Sequence, residues 1–166
     1  MGRMYTDWGR GGQVEGASAR PSRSRAERKD HVLRMLESEN KLWIATASED
    51  GSAHLVPFSF VWDGERIVAA TVDRSPAARN ARRTGKARVA LGTFGDVVLI
   101  DGSATVTAYD GVDADVAERL VRVSALDGRT SPSVVYLQLT PWRVQAWWSL
   151  QEVARPTIMR GGRWLA

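Results

Sequence analysis

The chain has 166 residues, enough for one domain with a proper hydrophobic core, and no cysteine, which removes disulfides, thiolate catalysis, zinc–thiolate sites and iron–sulfur clusters; two histidines argue against a His-rich metal centre. The formal net charge is +4, but residues 1–30 hold seven basic and four acidic side chains and leave sixteen and fifteen for the rest, so the extended basic face of a nucleic-acid binder is not expected. No apolar run approaches the roughly 20 residues that span a bilayer and no signal peptide is visible, which predicts a soluble cytoplasmic protein.

Residues 1–23, rich in Gly, Ser and Arg, are predicted to be a disordered tail before a single domain over 24–166. A helix is predicted from Ser24, with Val32, Leu33, Met35 and Leu36 on one face and Ser38-Glu39-Asn40 at its end. Strands follow at Leu42–Ser48, Ala53–Trp62 and Arg66–Val72, with turns at Glu49–Ser52 and Asp63-Gly64. Ser75 stands where an N-cap belongs and Pro76 where the first helical residue belongs, and Thr84-Gly85 closes this short helix. Ala87–Phe94 and Val97–Tyr109 are the next strands, the second with a bulge expected at Asp101-Gly102. Asp113–Leu126 has helical spacing through Val116, Leu120 and Val123. Ser133–Thr140 and Arg143–Leu150 read as two strands about a Pro141-Trp142 corner, and Thr157–Leu165 as a last strand with a Gly161-Gly162 turn. Seven or so hairpin-connected strands with two or three short helices predict a mainly β fold, an antiparallel barrel.

The stretch Thr71–Gly92 carries the chemistry. A Ser-Pro helix start directs backbone N–H groups outward with the positive end of the helix dipole behind them, an anion site made of main chain. Arg74, Arg79, Arg82, Arg83, Lys86 and Arg88 surround it, with no acidic residue between Arg74 and Arg88. A phosphorylated ligand is the expectation. Pro57 cannot donate to a ladder, so His54-Leu55-Val56-Pro57 implies an edge or a kink, whose free backbone groups suit the polar rim of a planar heterocycle. His54 alone reads as a satisfied histidine rather than a catalyst. Trp147 and Trp148 point to opposite faces of a strand, one toward the core and the other toward a ligand or a partner subunit. Arg155 either closes the anion site or is solvated. There is no GxGxxG opening a long helix, no GxxxxGK[ST], no GxSxG and no HExxH, and no catalytic residue or metal ligand is assigned. Reactivity then rests with a bound cofactor, and hydride transfer fits because it needs no side-chain nucleophile.

LWIATASEDGSAHLVPFSFVWDGERIVAATV followed by SPAARNARRTGKARVALG resembles the pyridoxamine 5′-phosphate oxidase-like superfamily, and within it the flavin/deazaflavin oxidoreductases described as coenzyme F-420-dependent. LTPWRVQAWW and RPTIMRGGRW resemble the end of the same family, so the likeness covers about residues 28–166. The resemblance implies an FMN-binding split β-barrel homodimer with cofactor sites at the subunit interface. It implies that His54, Leu55, Val56, Pro57 and Phe58 meet the tricyclic ring and that Thr71, Ser75, Arg79 and Asn80, beside Arg74, lie at the phosphate. Trp147 and Arg155 match later cofactor-contacting positions. The expected cofactor is F-420 or FMN, with Arg82, Arg83, Lys86 and Arg88 available for the acidic tail of the deazaflavin. Two departures stand out: Ala77 occupies a position where many relatives carry lysine, and the Arg-Leu-His signature for vitamin B6 substrates is absent, so their oxidation is not expected. The implied activity is hydride transfer to a small conjugated substrate; the alternative is a non-catalytic flavin- or haem-binding or storage protein on the same barrel.

Overall fold

The computed structural model describes residues 20–165. Six strands, β1 (Lys41–Ala47), β2 (Ala53–Trp62), β3 (Ile67–Val72), β4 (Lys86–Thr93), β5 (Asp96–Thr107) and β6 (Val134–Trp147), form an antiparallel sheet in the order β3-β2-β1-β4-β5-β6. β3 also pairs with the first half of β6, from Ile67↔Leu139 to Val72↔Val134, which closes the sheet into a barrel. β7 (Thr157–Arg160) and β8 (Arg163–Trp164) continue the sheet from the second half of β6. The helices are α1 (Arg25–Ser38), α2 (Pro76–Thr84), α3 (Ala114–Ser124) and the single turn α4 (Leu150–Val153). No helix among the described residues is long and apolar enough to cross a membrane.

Alternation builds the interior. Leu42 and Ile44, Val89 and Leu91, and Val98 and Ile100 occupy every second position of their strands and meet in one buried cluster. β3 has apolar residues on both faces because both are covered. Ile67 and Ala69 face the barrel, whereas Val68 and Ala70 face a second cluster with Tyr136 of β6 and Val116, Ala117 and Leu120 of α3. α1 starts at Ser24 through a capping box with Glu27 and adds Val32 and Leu36 to the barrel core. α2 packs against β1, β3, β4, β5 and β6, and its Ala81 joins the interior, so this helix lies across one mouth of the barrel.

Three expectations are corrected. Ser133–Thr140 and Arg143–Leu150 are one strand, β6, up to Trp147, and Leu150 belongs to α4. β6 leaves β3 after Leu139 and joins β7 only at Arg143, so the side of Pro141 away from β5 has no ladder to interrupt. The register against β5 does shift at Asp101/Gly102, but the extra residue is on the partner strand: Asp101 faces Arg143, Gly102 faces Pro141, and Trp142 bulges between them. The tail expectation for residues 1–19 lies outside the described residues, whereas Pro21 and Arg23 hold the chain on Trp148: Trp148 Nε1 donates to the Pro21 carbonyl at 2.9 Å and the Arg23 guanidinium lies 3.5 Å over the Trp148 ring.

Gly102 has no room for a side chain, since a Cβ there would stand 2.4 Å from Leu139 Cδ2 and 2.8 Å from the Thr140 carbonyl oxygen. Gly102→Ala is expected to destabilise the fold by about 2–3 kcal/mol, an overpacking cost that urea denaturation would register as a lower midpoint.

Candidate functional site

The predicted helix start is present in detail. Ser75 is the N-cap of α2, Pro76 follows, and the helix ends on Gly85 in the left-handed conformation at φ +64°. Ser75 Oγ accepts from the Ala78 amide at 3.1 Å and from Thr71 Oγ1 at 3.1 Å, while the Arg79 amide bonds the Ser75 carbonyl at 3.0 Å. Pro76 has no amide, so Ala77 supplies the N–H of this turn that lacks an intrahelical partner. Ala77 is itself only 1% exposed, so the accessible anion site consists of side chains rather than main chain, a correction to the sequence expectation. Arg74 and Arg79 flank it, both exposed, and Arg79 folds back onto the Arg74 carbonyl. Asn80 is buried under the helix, where its side-chain amide donates to Thr46 Oγ1 of β1 at 3.2 Å, so it anchors α2 to the barrel wall.

The second predicted element is an open strand edge. β2 pairs with β1 along Ala53–Ser59 but with β3 only through Phe60↔Ala69, Val61↔Val68 and Trp62↔Ile67. Phe60 donates its amide to the Asn40 carbonyl, so the even-numbered residues of β2 bond toward β1 and the odd-numbered ones point to the β3 side. Leu55 and Pro57 consequently present unpaired main chain on an edge that faces the gap below β3 and α2. Pro57 sits where its missing N–H costs nothing. The side chains of His54, Val56 and Phe58 are half-buried, and Phe58 packs on the barrel core.

Half of the basic cluster is paired with carboxylates. Arg82 is bound to Asp73, Arg83 to Glu49, and Arg88 Nε to Asp101 Oδ1 at 2.6 Å. Glu49 and Asp101 lie outside Arg74–Arg88 in sequence but are brought to it by the β1–β2 turn and the β4–β5 ladder. Of the four cations expected along a groove for an acidic tail, Arg82, Arg83 and Arg88 are paired and Lys86 has no acidic partner among the described residues. A cleft of about 500 Å³ opens beside the C-terminal end of α2, walled by Ala45, Ala47, Ala53 and Trp142 and edged by Lys86 and Arg88. Sequence reasoning did not assign Trp142 or Asp101 to this region, because only the bulge and the strand register bring them there.

Trp147 and Arg155 lie away from α2, on the β6–α4–β7 segment, and neither Trp147 nor Trp148 enters the barrel core. What positions that segment is buried charge. Glu152 of α4 accepts from the Arg23 amide at 2.6 Å, from Arg23 Nε and Nη2 at 3.1 and 2.9 Å, and from the Trp148 amide at 2.9 Å. Arg28 of α1 is 4% exposed and donates to the Ala146 and Arg155 carbonyls at 3.0 and 2.9 Å. Burial pushes the Glu152 carboxyl up, but the Arg23 and Trp148 hydrogen bonds and the Arg23 charge outweigh it and hold the group below its ordinary value.

Comparisons with known proteins agree with this geometry. Residues 29–148 match the family model described as pyridoxamine 5′-phosphate oxidase. No curated protein matches the sequence. Among solved structures, a protein of Listeria innocua provisionally assigned as a pyridoxamine 5′-phosphate oxidase is 23% identical with a TM-score of 0.61, over 73% of this chain and 98% of that one. A pyridoxamine 5′-phosphate oxidase-related, FMN-binding protein of Nostoc punctiforme is 15% identical with a TM-score of 0.53, over 78% and 84%. An F-420 reductase is 14% identical with a TM-score of 0.55, over 67% and 93%. At these identities the structural likeness speaks for the fold, a split barrel.

A depressed carboxyl stabilises the fold at pH above its unfolded value of 4.5 and loses that contribution as pH falls through the folded value. Melting temperatures followed from neutral pH to about pH 3 should drop less steeply for Glu152→Gln than for the parent, while the variant should be the less stable of the two at neutral pH. Parallel curves would assign the acid sensitivity elsewhere.

Proposed function

This chain belongs to the pyridoxamine 5′-phosphate oxidase family, and on that premise we propose that it is a homodimeric oxidoreductase that uses FMN or the deazaflavin F-420 to transfer hydride to a small conjugated substrate. The observation that carries this reading is the open edge of β2 facing the capped start of α2. In this reading the free main chain at Leu55 and Pro57 meets the polar rim of the ring system. The Ser75 hydroxyl, held by Thr71, and the guanidinium groups of Arg74 and Arg79 hold the phosphate at the start of α2. The donor set suits one phosphate, with a hydroxyl hydrogen bond and charge from two arginines. When bound, the cofactor supplies the hydride chemistry, and the side chains bind, orient and exclude water.

FMN suits the site better than F-420. The acidic tail of F-420 needs several uncommitted cations beyond the phosphate, and Arg82, Arg83 and Arg88 already have carboxylate partners. In this reading the second subunit covers the apolar patch of Trp43, Leu55 and Pro57 on the outer face of β1 and β2, where Trp43 is 49% and Leu55 58% exposed, and leaves the cleft at Ala47 and Ala53 open at its rim.

Adding FMN and F-420 in turn to purified protein and following cofactor fluorescence tests the reading, and binding of neither would end it. A bound chromophore that no reductant and acceptor turn over would support the storage alternative. Arg79→Ala is expected to weaken a phosphate-bearing cofactor by about 1–3 kcal/mol, and an unchanged affinity would place the phosphate elsewhere.

A further inference from the structure

The two ends of α2 differ in electrostatic character. In its last turn the arginines are matched singly with carboxylates, Arg82 with Asp73 and Arg83 with Glu49. Beyond its C-terminus the balance fails: Arg88 and Arg143 share one carboxylate, Asp101, and Lys86 stands near them on β4. Asp101 is buried, and its two oxygens take Arg88 Nε and Arg143 Nε, each at 2.6 Å. Burial pushes its carboxyl up, but the hydrogen bonds and charges of the two arginines hold it below its ordinary value, so it is an anion at neutral pH. Each guanidinium spends only its Nε on Asp101 and keeps its terminal amines for another acceptor, with side chains 48% and 34% exposed. Lys86 has no acidic partner among the described residues. The carboxylate thus fixes two arginine forks in place and leaves the group net positive.

Lys86, Arg88 and Asp101 of this group line the cleft of about 500 Å³, whose other walls are alanine side chains of β1, β2 and β4 and the bulged Trp142; Arg143 stands behind Asp101. A flat apolar body fits between such walls, and a positively charged edge calls for an anion at one end of it. The start of α2 lies about 13 Å away along the helix, too far for one phosphate to use both ends. We propose that this cleft is a second anion subsite that seats a conjugated carboxylate, with Lys86 and Arg88 on the carboxylate, Arg143 adding positive charge behind Asp101, and Trp142 against the flat body. Calling that carboxylate the hydride acceptor rests on the oxidoreductase reading; its binding does not.

The test is calorimetric titration of the full-length protein, with and without FMN, using cinnamate and its neutral isostere cinnamamide. Cinnamate should bind about tenfold or more tightly than cinnamamide, a difference that shrinks with added salt. Lys86→Glu should lose at least about tenfold in cinnamate affinity and Lys86→Arg should keep it, with the melting temperature of both unchanged. FMN affinity should be unaffected by Lys86→Glu. Equal affinity for the two probes, or no binding of either, would overturn the subsite while leaving FMN binding to be judged separately. Displacement of FMN by cinnamate would also overturn it, because the two anion positions would then be one. Cinnamate binding in a protein that takes up neither cofactor would uphold the subsite and discard the oxidoreductase reading.

Discussion

β3 has two edges and uses them unequally. Toward β6 it pairs along its whole length, and toward β2 it pairs through three residues only. Continued in the same register, Ser59 would face Ala70 and, two residues further, Pro57, which has no amide to give, would face Val72 at the end of β3. The chain closes its barrel through β6 and leaves the first half of β2 open on that side. Everything assigned to function is arranged about this split: the edge itself, the turn after β3, and the helix that crosses the mouth.

Closing a barrel on one side while splitting it on another requires a strand that changes partners, and β6 is that strand. Its first half is buried between the barrel core and α3, and its second half carries β7. The bulge at Trp142 falls between the two regimes, and it turns a tryptophan outward beside Arg143. A packing requirement thereby places an aromatic side chain on the surface of the cleft.

Charge is organised by the same ladders. Arg82, Arg83 and Arg88, which look free along the sequence, are in contact with carboxylates of the turn after β3, the β1–β2 turn and β5, so their electrostatic reach is short. The exceptions are where the numbers do not match, around Asp101, and where the charge is buried, around Glu152. At Glu152 one carboxylate collects four hydrogen bonds and ties residues before α1 to the segment after β6. Such a pair contributes more to fixing one arrangement of the segments that bear Trp147 and Arg155 than to net stability, because desolvation offsets much of the attraction.

Local chemistry decided what the sequence could decide alone. A Ser-Pro start and a Thr-Gly end bound α2 because capping is a property of neighbouring residues, and alternation located β1 to β5 to within a residue or two because side-chain direction has period two. Pro57 marked an edge for the same reason: a missing donor is visible without a partner. The family resemblance rested on these local signals as well. Tertiary structure decided what depends on partners distant in the chain. It joined two predicted strands into β6, moved the bulge from Asp101-Gly102 to Trp142, and neutralised Arg82, Arg83 and Arg88 with Asp73, Glu49 and Asp101. Hydrogen-bond register and ion pairing between strands are set by which edges meet, and no run of adjacent residues records that.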